Sequence, residues 1–136
     1  MKIVADHHEN NQYRKALVDE LVAYNDKNAP SENWQYVGFY ALSDEGELIG
    51  GIQGNFEWDW LHVTHLWVRN SGRGLGRKLV ESAEAFAKQN GKRGIFLDTF
   101  DFQARPFYEK LGFAVVGKIA NAAGSNTRYF MSKHIF

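Results

Sequence analysis

Residues Leu66–Leu79, LWVRNSGRGLGRKL, hold the densest set of groups able to do chemistry in this chain of 136 residues. An apolar run meets Gly72, Gly74 and Gly76, and a basic helical pattern follows, with Arg73, Arg77 and Lys78 near its start. A strand, a glycine loop and a helix start, in that order, make an anion site. The first-turn N–H groups have no partners inside the helix, and the helix dipole adds partial positive charge there. Glycine lets the backbone approach a phosphate and adopt positive φ. Cations at a helix start oppose the dipole by about 0.3–1 kcal/mol each, a cost that a bound polyanion reverses. Two common phosphate loops are excluded. Arg77 stands where the third glycine of G-x-G-x-x-G belongs, and no Gly-Lys-Ser/Thr triplet occurs. A shorter pyrophosphate cradle remains, beside the plainer alternative of a tight turn with solvated arginines.

The elements that must position this loop are legible in outline. Ile3–Ala5 reads as an edge strand, and Asp6 with Glu9 as a capping box. Tyr13, Ala16, Leu17, Leu21 and Tyr24 recur at helical spacing and predict an amphipathic helix to about Asn28. Trp34–Leu42, Glu47–Phe56 and Leu61–Val68 predict three strands in an antiparallel meander. Leu75, Leu79, Ala83, Phe86 and Ala87 mark the inner face of a helix that Gly91 ends. Gly94–Thr99 predicts a strand parallel to the last, because a helix connects them. Gln103–Leu111 predicts a short helix, and Val115–Ile119 and Thr127–Ser132 two final strands around a polar loop. The reading is a single α+β domain over residues 1–136.

Composition narrows the function. Sixteen basic and sixteen acidic side chains cancel, so general attraction to nucleic acid or membrane is not indicated. The chain has no cysteine, which removes disulfides, thiolate metal sites and a cysteine nucleophile. The histidines show no metal-ligand spacing, so no metal is expected. No apolar run suits a signal peptide or a membrane span, and a cytoplasmic location is the expectation.

A second motif, FYEKLGF at Phe107–Phe113, follows the glycine loop. The two together, with the flanking FLDTFDFQARP and the closing TRYFMSK, resemble the GNAT family of acyl-CoA-dependent N-acetyltransferases, in particular its bacterial small-molecule branch. The order of elements matches over essentially the whole chain. The resemblance implies the GNAT fold, with a mixed central sheet of about seven strands, an antiparallel N-terminal meander and flanking helices. It also implies acetyl-CoA as co-substrate, a primary amine of a small molecule as acceptor, and direct attack in a ternary complex. A peptide acceptor and a non-catalytic acyl-CoA sensor are the alternatives; a homodimer is a candidate assembly. One departure stands out: the family's loop begins with Gln or Arg, whereas Ser71 holds that position here, and Arg73 or Arg69 would have to supply the charge.

The resemblance assigns residues. Ser71, Gly72, Arg73, Gly74, Leu75, Gly76 and Arg77 would hold the pyrophosphate, with a Cβ at Gly74 or Gly76 meeting it. Leu66, Trp67 and Val68 would pair with the pantetheine arm as an added strand, a main-chain N–H near Trp67 or Val68 facing the thioester oxygen. Asp101, Phe107, Tyr108 and Lys110 would complete the cofactor contacts, and Tyr108 stands where the family places a general acid. The amine must also lose a proton. Glu57, His62, His65 and Asp98 are the candidate bases, His65 and Glu57 foremost, beside relay through water. Trp34, Phe56, Trp58, Trp60 and Phe102 suggest an aromatic acceptor pocket with Glu57 and Asp59, suited to a polyamine, amino sugar or basic drug; core packing is the alternative.

Overall fold

The computed structural model describes residues 1–136 and divides into two compact units, Met1–Glu32 and Asn33–Phe136. The first contains one helix, α1 (Arg14–Asn28). Two expectations fail here. Ile3–Ala5 forms no strand. Asp6 does not cap the helix; its carboxylate accepts from the main-chain N–H of His8 at 3.0 Å. Asn11 serves instead, its Oδ1 accepting from the N–H groups of Tyr13 and Arg14 at 2.9 and 3.1 Å. The helix starts later than the periodicity suggests because the polar stretch 6–11 closes on itself through these short side chains. None of the residues in α1 is buried, and Leu17 and Leu21 stand exposed.

The second unit is a six-stranded mixed sheet carrying two helices. Its elements are β1 (Gln35–Leu42), β2 (Leu48–Glu57), β3 (Trp60–Val68), α2 (Leu75–Gln89), β4 (Gly94–Phe100), α3 (Arg105–Lys110), β5 (Ala114–Ala123) and β6 (Asn126–His134). Strand order is β1-β2-β3-β4-β6-β5, so the expected seventh strand, the one at the N-terminus, is the one missing. β1, β2 and β3 form the antiparallel meander, and β3 and β4 are parallel. The last two strands run longer than predicted and meet at a tight turn over Gly124.

Period-two alternation on the strands and helical spacing on α2 turn their apolar residues to one core. Val37, Ile52, Phe56, Leu61, Val63, Ile95, Leu97 and Met131 from the sheet meet Leu79, Val80, Ala83 and Ala87 of α2. Phe86 stacks on Phe56 with ring centroids 5.7 Å apart. Burying each such large side chain stabilises the fold by about 1.5–3 kcal/mol. Tyr108, Leu111 and Phe113 join the same core, which ties α3 to it.

Two irregularities shape the sheet. β3 pairs with β4 only over Trp60–His62 against Gly94–Phe96, whereas β4 continues against β6 along its whole length. The strands therefore part beyond His62, and about 20 Å of β3 at ~3.3 Å per residue runs with one free edge. The register of β2 with β3 also shifts, Gln53 facing His65 and Gly54 facing Val63, which leaves Thr64 as the extra residue of a bulge. Gly54 permits it: a Cβ there would fall on the His62 carbonyl oxygen and 2.9 Å from its carbon. Gly54→Ala should lower stability by about 2–3 kcal/mol in urea denaturation. Gly117→Ala, whose Cβ meets nothing, should change it by less than about 0.5 kcal/mol.

Candidate active site

The parting of β3 and β4 opens a cavity of about 710 Å³ between the end of β3, the loop that follows it, and α3. Of the residues assigned to cofactor binding, Leu66, Trp67, Val68, Ser71, Gly72, Gly74, Leu75, Gly76, Arg77, Phe107, Tyr108 and Lys110 line it. Arg73 and Asp101 do not. Asn70, Gln103, Ala104 and Pro106 line it without having been singled out. Gln103 had a readable signal, a polar residue just before a proline-containing helix. Its Oε1 accepts from the Phe100 N–H at 2.9 Å and from Thr99 Oγ1 at 3.3 Å, which closes the turn between β4 and α3. That turn is also why α3 begins later than predicted.

The loop has the geometry of an anion cradle. Gly72 and Gly74 have φ of +83° and +80°, a region that costs an L-residue about 1 kcal/mol or more. Gly74 is the N-cap of α2 and offers no side-chain hydrogen bond, so the first-turn N–H groups are left to water or a ligand. Nothing lies within 4 Å of a Cβ built on either glycine, so the space above them is open. Gly76 differs. Its Cβ would sit 3.1 Å from the Phe107 ring, so this glycine lets α2 approach α3 and its bare side does not face the open space. Arg69 is not a spare cation: it bonds Glu47 at 3.1 Å and the Leu48 carbonyl at 3.0 Å. Arg77 keeps a loose contact with Glu81 at 3.7 Å.

The free edge of β3 can bind an extended ligand. The Arg69 N–H donates to the Ile49 carbonyl at 2.8 Å, which fixes the ladder's phase. Alternation then points the amides of Trp67 toward β2 and those of Leu66 and Val68 toward the split. Of the two positions expected for an oxyanion donor, Val68 is the one so placed.

Tyr108 is 7% exposed, with Phe107 and Phe113 edge-on at 5.1 and 5.7 Å. Burial, and secondarily the negative charge of Asp98, push its phenol up to about 12. The neutral phenol is thus the form the fold favours. This contribution to stability is complete below pH 10 and is lost as pH rises through about 12.

The other candidates separate. His65 is exposed on β3 next to Leu66 and does not itself line the cavity. Glu57 does not join the cavity. It faces Trp60 in register, about 17 Å along β2 from the level of Leu66 at ~3.4 Å per residue, and contacts His62 Nδ1 at 3.2 Å. His62 is stacked on Phe96 at 4.4 Å. Asp98 accepts from Arg128 Nε at 2.7 Å. Asp101 accepts from the Thr127 N–H at 2.9 Å and so closes the β4–β6 ladder. Three of the five aromatic residues are engaged elsewhere: Phe56 is core, Trp60 packs against Phe96 and His134, and Phe102 stacks on Phe100, while Trp34 is exposed. Among the described residues, no group of three or more His, Cys, Asp or Glu could hold a metal.

A free-edged strand, a glycine loop at a helix start and a buried tyrosine share this one cavity. Residues 4–113 match the model of the acetyltransferase (GNAT) family. The chain belongs to that family, the acetyl-CoA-dependent N-acetyltransferases. It is 38% identical over 99 residues to blasticidin-S acetyltransferase of Streptomyces morookaense, covering 71% of this chain and 73% of that protein. The crystal structure of an acetyltransferase from Bacillus cereus superposes with a TM-score of 0.85 at 29% identity, over 95% of this chain and 97% of the other. An aminoglycoside 6'-N-acetyltransferase complexed with coenzyme A shares the fold, with a TM-score of 0.66 at 21% identity over 99% and 98% of the two chains. No helix is long and apolar enough to cross a membrane.

Gly74→Glu should raise the Kd for coenzyme A at least tenfold by calorimetry, with an unchanged circular dichroism spectrum. A side chain and a negative charge would enter the open cradle. Unchanged affinity would count against the loop as the pyrophosphate site.

Proposed function

We propose that this protein moves an acetyl group from acetyl-CoA to a primary amine of a small molecule, by direct attack in a ternary complex. The observation that supports this most is the shared cavity, in which the free edge of β3, the open glycine loop and buried Tyr108 meet. The loop and first turn of α2 suit the pyrophosphate, and Arg77 and Lys110 suit phosphate charge. The edge amides of β3 suit the peptide-like arm. Acetyl-CoA supplies an activated thioester carbonyl at that edge.

The chain's own groups do the rest. The Val68 N–H donates to the carbonyl oxygen, where negative charge grows during attack. Tyr108 donates a hydrogen bond to the departing sulfur. A phenol at about 12 lies about 3.5 pKa units above a thiol near 8.5, so complete proton transfer is uphill by about 5 kcal/mol. A raised phenol pKa therefore favours hydrogen-bond donation by Tyr108 over full proton transfer. An alkylamine near pKa 10.4 costs about 4–5 kcal/mol to hold neutral at pH 7. His65, exposed on β3 next to the cavity-lining Leu66, takes the proton that the amine loses on bond formation. A relative named for blasticidin S supports a small-molecule acceptor, and that compound heads the panel to be tried.

Thiol release from acetyl-CoA should occur with one class of small amines in a panel of cationic, neutral and acidic members. Coenzyme A binding without release from any amine would overturn the reading. Tyr108→Phe should lower kcat by about 10²–10³ while changing coenzyme A affinity less than threefold. Because the phenol titrates near 12, the wild-type rate should show no falling limb from Tyr108 below pH 10.

A further inference from the structure

The sheet face opposite α2 carries a hydrogen-bonded network that the reaction above leaves unused. Alternation on β2 puts Ile52 and Phe56 in the core and Gln53 on the other face. Gln53 lies in register with Gly38 on one side and His65 on the other. The bare Gly38 makes room: a Cβ there would sit 2.6 Å from Tyr40 Oη. The phenols of Tyr36 and Tyr40 converge over it, 2.9 Å apart, at 2.7 and 3.3 Å from Gln53 Oε1. At the other end of the amide, Nε2 stands 3.3 Å from His65 Nδ1. Thr64, the bulge residue, has Oγ1 at 3.0 Å from the same Nδ1 and donates to the Gln53 carbonyl at 3.2 Å. Every contact to the ring is made at Nδ1, which leaves Nε2 for an incoming group.

We propose that Gln53, Tyr36, Tyr40 and Thr64 are positioning residues that hold the His65 ring by Nδ1 and present Nε2 to the acceptor amine. The inference rests on the role given to His65 above. As the amine nitrogen bonds to the acetyl carbon and the C–S bond breaks, the amine's proton moves to Nε2 and sulfur leaves with the electron pair. The ring is then an imidazolium whose Nδ1–H needs an acceptor. Thr64 Oγ1 is one. Gln53 is a second, because a half-turn of its amide brings Oε1 to Nδ1 and NH₂ to the phenols. A phenol accepts as well as donates, so both orientations of the amide satisfy every group. Around the ring, β1 presents Tyr36 and Tyr40, β2 Gln53 and β3 Thr64, and none of these carries charge at neutral pH. The charged groups elsewhere on this face are paired, Asp98 with Arg128 at 2.7 Å and Glu57 with His62 at 3.2 Å.

The test is an NMR titration of the five histidines in the whole protein, which needs no acceptor. Gln53→Glu puts a carboxylate at Nδ1 and should raise the His65 titration midpoint by about one pH unit, leaving His7, His8 and His134 in place. Gln53→Leu should lower it, and serves equally well should the glutamate variant fold poorly. Tyr36→Phe with Tyr40→Phe should change the ring's tautomer balance, read from the ¹⁵N shifts of Nδ1 and Nε2. Unmoved midpoints and shifts across these variants overturn the positioning role. His65→Gln with unaltered turnover and pH profile would instead remove the proton-accepting role itself, and this inference with it. His65→Gln with turnover reduced about 10²-fold, beside unmoved midpoints, would leave that role standing and reject the network alone.

Discussion

The structure turns on how β4 is shared. Its partner along the full length is β6, and β3 holds it for only three residue pairs. A strand cannot follow two diverging neighbours, so β3 stays with β2 and its other edge is left without a ladder. Unpaired main-chain groups in a sheet are ordinarily a liability, since they invite another strand. Here the free edge borders the cavity, and alternation directs the amides of Leu66 and Val68 into the split. The glycine loop closes one end of that opening and α3 closes a side. Each depends on the split, which leaves Tyr108 at the cavity wall as well as in the core.

Tyr108 shows how packing and chemistry are combined in one side chain. Its ring belongs to the same core as Leu111 and Phe113, and its pKa is raised chiefly by that burial. A phenol so held stays neutral at any physiological pH. Phe107, its neighbour, faces Gly76 at the start of α2. The fit between the two helices therefore sets the distance from the anion cradle to the phenol, and the glycine that resembles a phosphate contact acts through packing.

Charge is handled locally, as expected for a chain with no net charge. Arg69, Asp98, Glu57 and Asp101 are each engaged by a neighbour. A titratable residue near a motif invites a functional role, but its partner comes from a strand remote in sequence: Arg128 for Asp98, Thr127 for Asp101.

The order of elements, the parallel crossover, the glycine loop and the position of Tyr108 were all legible in the sequence, because each rests on local pattern: apolar periodicity, glycine spacing, a short motif. Most of the cavity lining followed from the same segments, Leu66–Arg77 and Phe107–Lys110. The absence of the first strand, the late start of α1 and the scatter of the aromatic residues did not follow, since short polar caps and pairing across the sheet override weak local preference. Nor did the Tyr36–Gln53–His65 network, whose members lie on three strands. Only the register of β1, β2 and β3 brings them together, and the bulge at Thr64 sets that register. A bulge is one extra residue whose cost and gain depend on both strands at once, so no single segment encodes it.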